Sequence, residues 1–327
     1  MASSYALCGF SYFAPDVRDR AQAAPERGVR LSNLDSKPEE MNMEFDRMTD
    51  SEQAKLWNGP AAQAWVESQS LLDQILEPMK DLLVQAVVAQ KSMPRRVLDV
   101  GCGTGSTTLA VARLLGTKGC CVGIDISEPM ICAARARLER EGARANFICA
   151  NVQTHTFEPA SFDMIISRFG VMFFEDPIQA FANLAHAATE HAEMRFIAWR
   201  DPSENPFMTT AERAAAPLLP NLPARRPDAP GQFAFADQGR VHGILAASGW
   251  TEIDVRPIDV ACALPEGELI RYLTRFGPVG RALEGVDERV RAQVIEKVRT
   301  AFNSFVHGTE VRFTAACWLV SARSRPV

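Results

Sequence analysis

The chain lacks the cysteine and histidine patterns that hold metal ions or disulfides. Its eight cysteines include no C-x-x-C pair, and its five histidines form no cluster at metal-ligand spacing. Most of the cysteines lie inside apolar segments, where cysteine behaves as a small core residue. The sequence therefore predicts no metal site and indicates a reduced, cytoplasmic protein.

Long apolar runs and an excess of basic residues are also missing. No window approaches the roughly 20 consecutive apolar residues that span a bilayer. Basic residues number 35 against 40 acidic ones, and the formal net charge of −5 creates no overall field for nucleic acid. We therefore expect neither a membrane nor a nucleic-acid partner, whereas 47% hydrophobic residues are ample for the core of an α/β protein.

The most informative stretch runs from Val97 to Ser106 and reads VLDVGCGTGS. It combines a short apolar strand with a turn in which glycine permits positive φ and close approach of a ligand to the main chain. A dinucleotide-binding turn needs a further glycine where this chain has Ser106, so an NAD-dependent oxidoreductase is disfavoured. Instead, Asp99 lies two residues before the first glycine. A buried acid there suits a cationic ligand, because opposite charges attract strongly at low dielectric.

A second acid ends the next predicted strand. The segment from Cys120 to Asp125 is apolar apart from its last residue, which follows Gly105 by twenty positions. In nucleotide-binding α/β folds, a carboxylate at the end of the second strand accepts hydrogen bonds from ribose hydroxyls. Asp125 could also cap the helix that begins near Pro129, and the two roles are compatible.

These two acidic strand ends resemble those of the class I S-adenosylmethionine-dependent methyltransferases. The resemblance runs from Gln53 to Ala322 and is greatest to a bacterial, small-molecule branch that includes the ubiquinone/menaquinone C-methyltransferases. It implies an α/β fold with a Rossmann-like, seven-stranded, mostly parallel sheet, helices on both faces, N-terminal helices and helical lid insertions. It also implies S-adenosyl-L-methionine as cofactor, S-adenosyl-L-homocysteine as product, and methyl transfer to an O, N, C or S atom of a small molecule.

The resemblance assigns cofactor contacts to residues of this chain. Asp99 would face the cationic amino end of the cofactor, directly or through water, and Asp125 would face the ribose. Asn151 and Val152 would face the adenine, although the family usually has an acid at the Asn151 position. Arg168 would meet a carboxylate or form a surface salt bridge. The predicted cofactor-binding residues are Asp99, Gly101, Cys102, Gly103, Asp125, Ile126, Met130, Asn151, Val152, Ser167 and Arg168.

The same resemblance divides the chain into seven segments. They are a loosely ordered leader (1–45), N-terminal cap helices (46–90), a cofactor-binding core (91–200), a lid insertion (201–236), a continuation of the core (237–263), a helical substrate insertion (264–310) and a final strand with its tail (311–327). We expect two helices before the first strand. Trp57 or Trp65 would lie near the cofactor, or would anchor a helix to the core.

Several functional alternatives remain open in the sequence. A general base is needed only if the acceptor must lose a proton, and His155, just past the third strand, is the predicted candidate unless it is a packed histidine. The chain could be a cofactor-binding protein without catalysis, or a methyltransferase acting on protein or RNA, for which only Arg225 and Arg226 suggest a basic surface. A homodimer is possible.

Overall fold

The apolar strand that precedes the glycine-rich turn lies at the centre of a mixed β-sheet. The structure, a computed structural model, describes residues 51–222, 224–226 and 229–325, so the expected leader lies outside the described residues. The strands are β1 (Arg96–Val100), β2 (Cys120–Asp125), β3 (Ala145–Cys149), β4 (Phe162–Arg168), β5 (Ala188–Trp199), β6 (Thr251–Pro265), β7 (Val306–His307) and β8 (Glu310–Arg323).

The strand order is β3-β2-β1-β4-β5-β8-β6, and β7 pairs with β8 beside this path. The first five strands of that order run parallel, whereas β8 is antiparallel to both of its neighbours, β5 and β6. The predicted Rossmann-like, mostly parallel sheet is therefore confirmed. The two-residue strand β7 adds an eighth member that the sequence did not indicate.

Twelve α-helices accompany the strands within the described residues. They are α1 (Glu52–Trp57), α2 (Pro60–Glu67), α3 (Gln69–Ile75), α4 (Glu77–Val88), α5 (Ser106–Leu115), α6 (Glu128–Glu141), α7 (Pro177–Ala187), α8 (Pro206–Ala215), α9 (Gln238–Ala247), α10 (Leu269–Arg275), α11 (Gly277–Ala282) and α12 (Glu288–Ala301). None of these helices combines the length and the apolar character needed to cross a membrane.

The expectation of two helices before β1 is wrong, because four helices, α1 to α4, already precede it from residue 51 onward, where the described part of the chain begins. Gly59 is extended and Pro60 begins α2, a position that proline favours. A further break falls at Ser68, which leaves helical geometry between α2 and α3. The last break falls at Leu76, and Pro78 occupies the first turn of α4, where a missing N–H costs no hydrogen bond.

The central strands are buried on both faces. In β1, every residue from Val97 to Val100 is buried, and in β4 the residues from Met164 to Ser167 are buried as well. Covered parallel strands of this kind read as continuous apolar runs rather than as an alternating pattern. Their carboxyl ends are held in fixed positions by this core, and these are the ends that carry the predicted site.

A buried asparagine connects the lid insertion to the sheet. Beyond the end of β5, the Asn205 side chain accepts a hydrogen bond from the N–H of Ala316 (2.9 Å) and donates to its carbonyl (3.0 Å). Asn205 therefore replaces a missing strand partner for β8, and it is 1% exposed. Helix α8 begins at the next residue, and its Phe207 ring stacks on Phe313 of β8 with centroids 3.9 Å apart. The position of α8 thus depends on this contact.

We expect Asn205→Ala to lower the free energy of unfolding by about 1–3 kcal/mol, because the Ala316 N–H would be left buried without a partner. Urea denaturation measures this loss. The matched control is Asn221→Ala, which removes an exposed asparagine in the same insertion and should change the stability by less than about 0.5 kcal/mol. Equal effects of the two substitutions would contradict the proposed anchoring.

Candidate cofactor and acceptor cleft

A cleft of about 600 Å³ opens above the carboxyl ends of the parallel strands. This volume lies within the range of roughly 300–1,000 Å³ that is typical of small-molecule sites. Strand ends and their loops form one wall, and residues from α1 to α3, α8, α10 and α11 form the other. The predicted cofactor residues that line it are Gly101, Cys102, Gly103, Asp125, Ile126, Met130, Asn151, Val152 and Arg168.

The floor of the cleft depends on a close approach between two backbone segments. Gly101 has a φ of +65°, and a Cβ placed on it would lie 2.6 Å from the Cα of Gly170. A Cβ on Gly170 would in turn lie 2.6 Å from the carbonyl oxygen of Val100. Both positions therefore require glycine because the loops after β1 and β4 touch, and not only because a ligand approaches.

Ser167 locks these two loops together rather than facing the cleft. Its hydroxyl donates to the carbonyl of Val100 at 2.7 Å and accepts from the N–H of Gly170 at 3.2 Å. It is 1% exposed and does not line the cleft. The structure thus gives Ser167 a supporting position behind the cofactor wall, not the direct contact that was predicted.

The Asp99 side chain also lies behind the wall that the strand ends form, and it does not line the cleft. Its carboxylate accepts a hydrogen bond of 2.6 Å from the Thr108 hydroxyl in the first turn of α5, and the residue is 1% exposed. Burial raises the pKa of Asp99 to about 6, although the Thr108 hydrogen bond and the charge of Arg168 act in the opposite direction. The predicted direct contact with a cationic ligand does not fit this position, and the carboxylate instead holds the start of α5 against β1.

Asp125 lines the cleft and also organises the glycine-rich turn. One carboxylate oxygen accepts from the N–H of Gly103 at 2.8 Å, and the other accepts from the N–H of Ser127 at 2.9 Å. Each oxygen retains a second lone pair that could accept from a ligand hydroxyl. Burial raises the pKa of Asp125 against the effect of these hydrogen bonds. Asp125 is not the N-cap of α6, because Ser127 occupies that position and its hydroxyl accepts from the N–H of Met130. The predicted role of Asp125 at the ribose stays a prediction.

The loop after β3 places an amide in the same cleft. The Asn151 side-chain oxygen accepts from the N–H of Gln153 at 3.0 Å, while the carbonyl of Val152 accepts from the Asn183 side chain at 2.7 Å. The loop is therefore held from both sides, and its Asn151 amide and Val152 backbone remain along the cleft.

His155 lies at the end of this loop and is not among the residues that line the cleft. Its backbone N–H donates to the carbonyl of Asn151 at 2.9 Å and closes a turn. Its ring packs edge-on against the Phe157 ring, with centroids 4.6 Å apart. The structure therefore does not place the predicted general base at the cleft. The alternative of a packed histidine describes the observed position.

Arg168 is half-buried and lines the cleft, and it forms no salt bridge with any residue that the structure describes. Its Nη1 donates to the carbonyl of Leu76, at the end of α3, over 3.3 Å. Burial lowers the pKa of Arg168, whereas the carboxylates of Asp73 and Asp99 raise it. Asp73, one turn earlier on α3, lines the same cleft and is bonded to Arg137 of α6 at 2.6 Å. Charges of both signs therefore meet on one side of the cleft.

Asn58 is a positioning residue that the sequence reasoning missed. Its side chain donates to the carbonyl of Ile126 at 3.1 Å and accepts from the N–H of Glu128 at 2.9 Å. These bonds dock the turn between α1 and α2 onto the turn that follows Asp125. Trp57 is consequently held at the cleft, as is Trp65. An asparagine in an Asn-Gly-Pro sequence predicts a turn but not its distant partner.

Six aromatic rings form a continuous series along the cleft, which we call the ring arc. Neighbouring ring centroids are 5.1–6.1 Å apart. In spatial order, the ring arc consists of Phe173, Trp57, Trp65, Phe276, Tyr272 and Phe207. It therefore connects the loop after β4 with the cap helices and with both insertions.

Comparison with known proteins agrees with this geometry. Residues 97–191 match the family described as "Methyltransferase domain". The YcgJ protein of Bacillus subtilis has the same fold, with a TM-score of 0.50 and 16% identity over 76% of this chain and 98% of that one. Residues 97–191 are therefore similar to a methyltransferase domain, and the glycine-rich turn lies within this matched segment.

Two named relatives extend the likeness. The chain is 33% identical over 128 residues to aklanonic acid methyltransferase DauC of Streptomyces sp. strain C5, covering 38% of this chain and 57% of the relative. It is 25% identical over 243 residues to nocamycin O-methyltransferase of Saccharothrix syringae, covering 70% and 85%. The chain spans about three fifths of the first curated relatives, 57% of one and 60% of the next. The acceptor of the whole chain does not follow from such matches.

The buried carboxyl of Asp99 makes a prediction for pH dependence. Because its folded-state pKa of about 6 lies above an unfolded value of about 3.9, the folded chain favours the neutral form, and its contribution to stability falls as pH rises from about 4 through about 6. Asp99→Asn keeps an oxygen for Thr108 but does not ionise. The free energy of unfolding of the variant minus that of the wild type should therefore increase over this range, by on the order of 2 kcal/mol.

Urea denaturation at pH 4, 5, 6 and 7 measures this difference. The control is Asp81→Asn, which changes an exposed carboxylate and should give a difference that stays within about 0.5 kcal/mol. A difference for Asp99→Asn that is flat or decreases with pH would contradict the raised pKa.

Proposed function

We propose that the chain transfers a methyl group from S-adenosyl-L-methionine to a small-molecule acceptor. The main observation that supports this proposal is that the glycine-rich turn, Asp125 and the ring arc all line one cleft. A nucleoside and a second, apolar molecule can therefore lie side by side in it. Two relatives named for aklanonic acid and nocamycin support a small-molecule acceptor.

When bound, the cofactor supplies a methyl group activated by a positively charged sulfur. The chain's own residues then have to bind, orient and exclude water. Asp125 accepts from the ribose hydroxyls, and Asn151 and the backbone at Val152 contact the adenine. The cap helices α1 to α3 close the cleft over these groups.

Asp73 and Arg168 fit the amino-acid end of the cofactor. That end carries an ammonium and a carboxylate, and the two side chains present the complementary charges on one side of the cleft. Among the described residues, the Arg168 side chain forms one hydrogen bond, which it donates to the carbonyl of Leu76. An arginine has five N–H donors, so further N–H groups of Arg168 remain for a carboxylate. Asp73 thus takes the role that the sequence reasoning assigned to Asp99.

The alternative functions are less well supported. A cofactor-binding protein without catalysis has no need of a ring arc beside the cofactor wall. A methyltransferase for protein or RNA was suggested by Arg225 and Arg226. However, Arg225 forms two hydrogen bonds to Glu212, at 2.6 and 3.0 Å, and lies over the Phe233 ring. Its charge is therefore largely engaged within the insertion.

Two further proposals concern the location and the oligomeric state of the chain. A cytoplasmic location is supported by the seven described cysteines, none of which is in a disulfide and four of which are buried. The possible homodimer stays a prediction that measurement of the molecular mass in solution decides.

The cofactor contacts predict different effects on two related ligands. S-adenosyl-L-homocysteine and 5′-methylthioadenosine share the adenosine and the sulfur, but only the first carries the amino-acid end. Arg168→Gln and Asp73→Asn should weaken S-adenosyl-L-homocysteine by roughly 10- to 100-fold, the range for a lost charged hydrogen bond. They should leave 5′-methylthioadenosine within about twofold. Titration calorimetry measures both ligands, and binding of the second shows that each variant is folded.

The matched control is Asp125→Asn, which should weaken both ligands alike by about tenfold, because both contain the ribose. If the wild-type chain binds neither ligand, the proposed function is wrong. If the Arg168 and Asp73 variants weaken both ligands equally, the function stands and the assignment of the amino-acid end fails.

A further inference from the structure

The ring arc leaves aromatic surface uncovered in the cleft. Phe207 is buried and stacks on Phe313 of the sheet, whereas the other five rings of the arc are only half-buried. Transfer of such surface from water is favourable at about 25 cal/mol per Å². A molecule that covers these rings therefore gains binding energy from each of them.

The relative orientation of the rings favours a flat partner. Phe173, Trp57, Trp65 and Phe276 meet edge to face, with interplanar angles of 75–87°. These rings therefore meet one another in a geometry that aromatic neighbours favour, and a further aromatic ring can extend the series in the same way. Aromatic rings favour offset-stacked and edge-to-face neighbours, and such pairs contribute beyond the area that they bury. A flexible alkyl chain gains only the area.

One hydroxyl lies within this apolar surface. The Tyr272 hydroxyl contacts the sulfur of Met208 at 3.7 Å, and thioether sulfur is a weak acceptor. A tyrosine hydroxyl is protonated at neutral pH, and burial moves the pKa of Tyr272 further upward, so the hydroxyl is a donor. An oxygen on the bound molecule would be a stronger partner than the sulfur.

We propose that the acceptor is a planar, fused-ring aromatic molecule that carries a ring oxygen, bound with its rings against the ring arc and its oxygen toward Tyr272. This proposal rests on the proposed function, because it fills the half of the cleft that the cofactor leaves. The proposal names one chemical class of acceptor, and the test below distinguishes that class from flexible aliphatic molecules.

The test compares two probes of equal carbon number in the presence of saturating S-adenosyl-L-homocysteine. Anthraquinone-2-carboxylate and pentadecanoate both have 15 carbons and one carboxylate, but only the first has fused rings and ring carbonyls. Titration calorimetry on the full chain should show that the anthraquinone binds at least about tenfold more tightly. Trp65→Leu should weaken the anthraquinone by about tenfold, at the upper end of an aromatic pair contribution, and should change pentadecanoate by less than about threefold.

The matched control is Trp318→Leu, which removes a tryptophan that does not line the cleft and should leave both probes within about twofold. Tyr272→Phe keeps the ring and should weaken the anthraquinone alone, by about two- to tenfold. Binding of S-adenosyl-L-homocysteine shows that each variant is folded.

Equal affinity of the wild type for the two probes would overturn the proposal, as would equal weakening of both by Trp65→Leu or no binding of the anthraquinone. An unchanged affinity in Tyr272→Phe would overturn the assigned ring oxygen. Loss of S-adenosyl-L-homocysteine binding by the wild-type chain would instead refute the proposed function, so the two failures are distinguishable.

Discussion

The contact between the loops after β1 and β4 is the constraint on which the site depends. Gly101 and Gly170 approach so closely that neither position has room for a Cβ, and the Ser167 hydroxyl holds the two loops at this distance. The glycine-rich turn therefore has a fixed floor. Phe169, between these groups, has a φ of +64° and stacks on Trp199 with centroids 4.7 Å apart. Such a conformation costs an aromatic residue free energy and persists only where the surroundings enforce it.

Hydrogen bonds extend this order from the sheet to the helices above it. Asp125 fixes the glycine-rich turn and the start of α6, and Asn58 fixes the cap to the same region. Arg137 of α6 holds Asp73 of α3 in a second link. Asp125 and Asp73 line the cleft, whereas Asn58 and Arg137 do not. The positions of the lining residues thus depend in part on positioning residues that are not themselves part of the cleft surface.

Local patterns predicted the sheet well and the contacts across the chain poorly. Continuous apolar runs and glycine turns signal covered parallel strands, and the acid at Asp125 has the expected place at the end of its strand. The position of Asp99 in the sequence does not predict where its side chain points, because its spacing before the glycines is the same whether the carboxylate faces a ligand or the helix behind it. The carboxylate points toward α5 because the Thr108 hydroxyl of that helix donates a hydrogen bond to it. The same applies to His155, because a backbone turn closed by its N–H bond to Asn151 places its ring against Phe157. Asn58 and Asp73 act through partners some 60 to 70 positions away, which no local period reveals.

The two walls of the cleft come from different parts of the chain. Strand ends of the buried sheet form one wall, whereas the ring arc draws most of its members from the cap and the insertions. Substitutions in the arc leave the backbone ladder of the sheet intact, and a change at a strand end would disturb both the core and the floor. In the proposed arrangement, substitutions in the ring arc therefore change the surroundings of the acceptor without altering the strand ends that hold the methyl donor.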